Sequence, residues 1–318
     1  TCTPTCDAVD VQELQEVGTV KTRATASGLC GNGRGSAMDS SANGSASTRV
    51  LYVLFYALLL LFAVFYLLPF WGALTTSLKQ AREVAITNPL AFPSSPTFSP
   101  YLEAFAQLKR PLLNSVLITV GGTLGSVFLG SICGYAFAKY RFRYDNLIFT
   151  LLVSAIFLPY QAILVPLFQT IRALGLYNTI PGLILVHTAY GIPMCALMFR
   201  GFYGDVPDCL IKQAMMDGNG PWRIYTKIVL PSTKIATVTV LVFQFTSIWN
   251  EMLFGLIIGG PDSMPATIAL NNMMGTLAAE WNVQMAGSMW LALPVLILYI
   301  AMGKYLIRGY MAGAVTAS

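Results

Sequence analysis

What most constrains this chain is a set of long apolar runs, each close to the roughly 20 residues that a helix needs to cross a bilayer core. Six can be read: Val50 to Leu74, Asn114 to Ala138, Asn146 to Phe168, Ile180 to Phe199, Ile235 to Ile258 and Met285 to Leu306. Inside lipid no water satisfies the backbone, so a spanning segment is either a helix or part of a closed barrel. Barrel strands alternate apolar and polar residues, whereas Tyr56 to Leu68 and Leu291 to Ile300 are unbroken apolar stretches. The reading is an all-α polytopic membrane protein with six transmembrane helices. Composition agrees: 55% of residues are hydrophobic and 10% charged, against about 25% charged in an ordinary soluble domain.

Six spans place both termini on one side, and basic residues concentrate in short cytoplasmic connections. Lys139, Arg141 and Arg143 follow the second run, while Arg200, Lys212, Arg223, Lys227 and Lys234 follow the fourth. Lys304 and Arg308 lie at the C-terminal end, and the connection between the fifth and sixth runs has no Lys or Arg. Both termini are therefore expected in the cytoplasm. The first outer loop, with Lys79, Arg82, Lys109 and Arg110, departs from this pattern but is long. Residues 1–49 are rich in Ser, Thr, Gly and Ala and lack apolar periodicity, so they read as a disordered tail or, if translation starts at Met38, as an artefact. Residues 50–318 form the membrane domain. Cys133, Cys195 and Cys209 lack metal-ligand spacing and read as inert thiols.

The connection between the fourth and fifth runs, about residues 200–231, is patterned as helix, turn, helix. Asp208 is a candidate cap for a helix bearing Leu210, Ile211, Ala214 and Met215 at helical spacing, and Gly218 is a natural stop. Pro221 suits the first position of a second helix carrying Trp222, Tyr225 and Ile228 or Val229, which Pro231 ends. An amphipathic pair of this kind needs a surface for its apolar stripe, either the lipid headgroups or another protein.

The run Gln213-Ala214-Met215-Met216-Asp217-Gly218, then Pro221-Trp222 and Ile228-Val229-Leu230-Pro231, resembles the EAA loop of ABC importer permeases. Ser77-Leu78-Lys79, Leu112-Leu113-Asn114-Ser115, Gly134-Tyr135-Ala136-Phe137-Ala138, Trp249-Asn250-Glu251 and the terminal Gly309 to Val315 are similar to the carbohydrate branch of that family, the second permease of a maltose-type system. The resemblance implies the type I importer fold with a cytoplasmic coupling helix, in the bacterial inner membrane. It implies that Ala214, Asp217, Gly218, Leu230 and Pro231 belong to a loop that seats on a separate ATP-hydrolysing subunit. Lys212 stands where the family has Glu and Gln213 where it has Ala, so the local contact requires a different complement on the partner. The implied partners are two ATPase subunits, a second homologous permease subunit, a periplasmic or lipid-anchored solute-binding protein, and a sugar as substrate.

Asn250 and Glu251 are the clearest polar pair in a span. At membrane depth such groups either tie helices together or line a path, and both readings stand for this pair. His187, the one histidine, has no acidic neighbour in sequence and reads as a packing residue. Pro159, Pro166, Pro193 and Pro294 are expected to kink spans. Gly121, Gly122, Gly125, Gly130 and Gly134 read as packing residues, and Trp71 and Trp290 as interfacial anchors. No phosphate-cradling P-loop occurs, so no cofactor is expected and ATP would be bound by the partner subunit. No catalytic residues, metal ligands or nucleic-acid contacts are expected either. The competing class is an ion-gradient-driven secondary transporter, which typically shows more intramembrane ionisable residues or repeated halves.

Overall fold

The computed structural model describes residues 42–273 and 280–315, which contain helices and no strand. The expected tail up to residue 41, including Met38, lies outside them. The chain divides into two units, residues 1–66 and 67–318. The described part of the first is the leading stretch of α1 (Ala42–Ser77), whose helix begins inside the stretch read as tail. Its side chains from Leu51 to Tyr66 are all exposed, as expected of an all-apolar helix that meets lipid rather than water.

The second unit follows from the end of α1 through α2 (Ala81–Ile86), α3 (Ser99–Lys139) and α4 (Asp145–Ser154). A short 3-10 turn, Ala155–Phe157, leads to α5 (Tyr160–Ala173) and then α6 (Ile180–Gly204). Next come α7 (Asp208–Met216), α8 (Pro221–Ile224), a π turn over Tyr225–Val229 and α9 (Leu230–Ser232). α10 (Lys234–Asn250), α11 (Leu253–Ile258), α12 (Ala266–Met273) and α13 (Trp281–Val315) complete the order. Four helices, within α1, α3, α6 and α13, are long and apolar enough to cross a membrane, and the number reaches six when each of two bent pairs counts as one span.

Those bent pairs bring the kink expected at Pro159 in the third span and an unexpected one in the fifth. The third breaks at Leu158-Pro159, and its halves meet at 99°. Pro159 has no N–H to continue the ladder, and its ring forces Leu158 into an extended conformation (ψ 122°). The fifth starts abruptly after Thr233, where α10 turns by 82° from the helical segment before it. It also stops early: α10 ends at Asn250, Glu251 is extended (ψ 133°), and α11 is a separate short helix.

α3 is the axis of the unit. It starts at Ser99, well ahead of the expected Asn114, so Lys109 and Arg110 lie on this helix instead of in a loop. Its glycines face α6 in pairs: Gly121 with Ile184, Gly125 with Thr188, Gly130 with Cys195 and Gly134 with Phe199. The pairs advance together along both helices, so α3 and α6 run parallel. A Cβ at Gly134 would lie 2.5 Å from Phe199 Cβ and 3.0 Å from the Arg200 backbone nitrogen. Only glycine permits that approach. α6 begins cleanly, because Thr179 Oγ1 accepts the Gly182 N–H at 3.1 Å and Pro181 needs no partner at its first turn.

Two apolar clusters flank this pair. One joins Val127, Tyr135, Phe199 and Tyr203 to Ile211, Ile224, Tyr225 and Val229 at the basic end of the bundle. The other gathers Ile118, Leu183, Val186, Ile248, Phe254 and Ile258. Several polar groups inside the body find partners, while Thr123 Oγ1, Asn282 Oδ1 and Gln284 Oε1 are buried without one. Lys79, expected as a loop charge, is buried, and its Nζ donates to Asn88 O at 2.8 Å and Thr87 Oγ1 at 3.1 Å. The indoles of Trp71 and Trp290 donate to Leu90 O and Tyr101 O, both at 3.1 Å.

Gly134→Val overpacks the α3–α6 approach and is expected to destabilise the protein by about 1–3 kcal/mol. The purified protein should show a lower thermal midpoint. Gly201→Ala, whose added Cβ meets nothing within 4 Å, should leave the midpoint unchanged; equal midpoints for both variants would refute the contact.

Candidate functional site

The helix-turn-helix segment at the basic end is built locally. Asp208 does not cap α7 as expected: Pro207 holds the cap position and Asp208 is the first helical residue. Its carboxylate instead accepts from Lys139 Nζ at 2.8 Å, and the same ammonium donates to Val206 O at 2.6 Å. The Lys139 side chain is 2% exposed and that of Asp208 73%. This hydrogen bond, reinforced by the lysine charge, holds the Asp208 carboxyl below its ordinary range.

α7 stops at a Schellman motif. Gly218 N donates to Met215 O at 3.1 Å and Asn219 N to Ala214 O at 3.0 Å, with Gly218 at φ +77°. Pro221 then opens α8 at its first position, as expected. Pro231 sits within α9, and the chain breaks two residues later, at Thr233.

Only part of the expected apolar stripes is inward. Ile211, Ala214, Ile224, Tyr225 and Val229 are buried. Leu210, Met215, Met216 and Trp222 face outward, Met216 at 87% exposure. Lys212, Gln213, Asp217, Gly218 and Pro231 are also exposed, and Leu230 is half-buried against the cluster beneath. The structure therefore leaves Lys212, Gln213, Asp217 and Gly218 exposed along the C-terminal half of α7 and its stop. Ala214 packs beneath them, and Leu230 and Pro231 lie on a different helix.

Asn250 and Glu251 lie at the break between α10 and α11. Glu251 Oε1 accepts the backbone N–H of Leu253 at 2.6 Å and of Phe254 at 3.0 Å, replacing the ladder that ends at Asn250. Asn250 Nδ2 donates to Thr246 O of its own helix at 2.9 Å. Both residues border a cleft of about 540 Å³ shared with Tyr160, His187, Tyr190 and Gln244. His187 does have an acidic neighbour, which is distant in sequence and adjacent in space: its Nε2 lies 3.9 Å from Glu251 Oε2. The Phe254 ring packs edge-on against His187 and Tyr190. Among the described residues no cluster of His, Cys, Asp or Glu could hold a metal.

One constellation escaped sequence reasoning. Ser131, Tyr135 and Lys139 recur every fourth residue on α3, and each touches the helix-turn-helix segment. Ser131 Oγ shares hydrogen bonds with Tyr203 Oη at 2.5 Å and Tyr225 Oη at 2.8 Å. Tyr135 Oη donates to Pro221 O at 3.1 Å and pairs with Tyr140 Oη at 2.9 Å. The four-residue spacing of polar groups at the end of an apolar run was the available signal.

Replacing Glu251 by Ala should remove both acceptors at the start of α11 and cost about 0.5–2 kcal/mol, as loss of a helix cap does. Glu251→Gln, which keeps an acceptor oxygen, should retain most of the thermal midpoint. Equal loss in both variants would instead assign the effect to the charge.

The family described as binding-protein-dependent transport system inner membrane component matches residues 126–310. A probable ABC transporter permease protein of Pyrococcus horikoshii is 51% identical over 82% of this chain and 96% of its own length. The xylose/arabinose import permease protein of Haloferax volcanii is 32% identical over 80% of this chain and 90% of its own length. Among solved structures, a bacterial ABC transporter involved in import of the acidic polysaccharide alginate superimposes with a TM-score of 0.72. The match covers 81% of this chain and 97% of that one at 20% identity, a likeness of fold.

Proposed function

The chain belongs to the family of inner membrane components of binding-protein-dependent transport systems, and on that premise we propose that it works as one of two unlike permease subunits in an ATP-driven sugar importer. The alternative of an ion-gradient-driven secondary transporter is set aside by that membership. The protein is a multi-pass membrane protein. We place both termini in the cytoplasm, from the basic residues at the end that carries α7 to α9.

The observation that carries this reading is the exposed outer face of the helix-turn-helix segment. Its inner face is fixed to the bundle by Ile211, Ala214, Ile224 and Val229, while Leu210, Met216 and Trp222 remain exposed beside Lys212, Gln213, Asp217 and Gly218. An exposed apolar and charged knob on a rigid base suits docking into a cleft of another protein. We assign it to an ABC ATPase subunit, present twice in the complex, which would bind the ATP. Lys212 favours an acidic group on that subunit. Leu230 and Pro231 hold the second helix behind the knob.

On the opposite side, a periplasmic or lipid-anchored solute-binding protein delivers substrate. A sugar is supported by the Haloferax volcanii relative, a xylose/arabinose import permease. The cleft at Asn250 and Glu251 adds amide and carboxylate acceptors beside the Tyr160 and Tyr190 rings, a lining suited to hydroxyl-rich solutes. It forms this subunit's share of the translocation path.

Expression with the neighbouring genes and purification through this subunit should bring down an ATPase. Met216→Asp, which places a charge at the most exposed point of the knob, should cut its recovery about tenfold, the equivalent of about 1.4 kcal/mol of binding. Recovery of no ATPase with the unaltered chain would sink the importer reading.

A further inference from the structure

We propose that α3, which is not adjacent in sequence to the coupling segment, is the element that receives movement from the ATPase and carries it to the opposite end of the bundle. Ser131, Tyr135 and Lys139 act as its positioning residues. The inference rests on the importer reading above and adds the route by which the knob acts.

Covalently, the segment is attached to α6 on one side and α10 on the other. The α10 connection is a poor lever, because the chain bends by 82° at Thr233 and a π turn precedes it. Such turns interrupt regular helix and often mark functional sites. The non-covalent attachment to α3 is of a different quality. Three side chains on one stripe grip three successive parts of the segment: Lys139 at Val206 and Asp208, Tyr135 at Pro221, and Ser131 at Tyr225. Thus both helices of the segment are held.

The grip is dry. Ser131 is 2% exposed, Tyr203 0%, Tyr225 4% and Tyr135 6%. The rings pack on one another, with Tyr135 and Tyr225 centroids 5.1 Å apart and Tyr135 and Tyr203 6.5 Å apart. Buried hydroxyls that lose a partner cannot recover it from water. The segment therefore cannot slide over α3 without breaking several such bonds at once; it moves α3 with it.

The other end of the same helix is latched as well. Asn114 Nδ2 donates to Asp262 O at 3.0 Å and to Met264 O at 3.1 Å, and Ser115 Oγ accepts the Ala266 N–H at 2.8 Å. Arg110 pairs with Asp262 at 2.9 Å. Between Asn114 and Lys139 α3 has no proline and spans about 40 Å at 1.5 Å rise per residue. A displacement at the knob thus reaches the loop over residues 260–265 and the start of α12, where Thr267 Oγ1 donates to Glu251 O at 3.4 Å, beside the cleft.

The test uses the whole complex, purified through this subunit, with its solute-binding protein taken as loaded from the cells. ATP hydrolysis is measured with and without that protein. Tyr225→Phe and Tyr135→Phe keep the rings and remove the hydroxyls, and Lys139→Met removes the third grip. The expected result is that the ATPase stays bound and hydrolyses ATP in all three variants, while the stimulation by the binding protein falls about fivefold or more, the range of a lost site-to-site coupling.

Stimulation within about twofold of the unaltered complex in all three would overturn the proposal. So would loss of the ATPase from both Phe variants, which would make the stripe an assembly contact only. An unaltered complex that lacks any ATPase or any stimulation would instead refute the importer reading, and it is recognised before any variant is made.

Discussion

The close approach of α3 and α6 is the contact on which the rest of this bundle depends. In lipid, apolar side chains gain little by leaving the membrane for one another, so helices associate through shape and hydrogen bonds. The ladder of Gly121, Gly125, Gly130 and Gly134 against Ile184, Thr188, Cys195 and Phe199 supplies shape at backbone distance. It also fixes register, since the α6 residues nearest successive glycines advance in step with them. Because the two helices run parallel, α6 delivers the chain after Gly204 to the same end at which α3 finishes. The helix-turn-helix segment is therefore formed beside the end of α3 and not across the bundle from it.

The helices that break do so where a local group can replace the missing ladder. At Leu158 and Pro159 the ring itself ends the helix. At Asn250 the carboxylate of Glu251 takes over the first N–H groups of α11. An acidic side chain at membrane depth is costly unless its oxygens are occupied, and here the backbone of the next helix occupies them. Glu251 thereby joins structure to site: the residue that ends α10 also borders the cleft, and His187 stands 3.9 Å away.

The segment from Asp208 to Ser232 shows a division of labour between its two faces. Burial of Ile211, Ala214, Ile224, Tyr225 and Val229 sets its orientation, and Lys139 and the tyrosine hydroxyls set its position. The outer face is left with methionine, leucine and tryptophan next to Lys212 and Asp217. That is an uneconomical surface for a soluble loop and a suitable one for a permanent partner.

The helical nature of the chain, its apolar spans, the two-helix form of the segment after α6 and the Gly218 stop were legible in the sequence. Each depends on local periodicity, on proline and glycine stereochemistry, or on the cost of backbone in lipid, and these act over a few residues. The family resemblance was legible for the same reason, because its motif is contiguous. Tertiary structure alone decided the rest. It moved Asp208 from cap to ion partner, because Lys139, 69 residues earlier, ends its helix there. It bent the fifth span and broke it at Asn250, where no proline stands, and placed Glu251 beside His187. It assembled Ser131, Tyr203 and Tyr225 into one buried network, whose members are up to 94 residues apart. Contacts of that kind follow from which helices pack together and in what register, and that choice belongs to the whole bundle and to no single stretch of it.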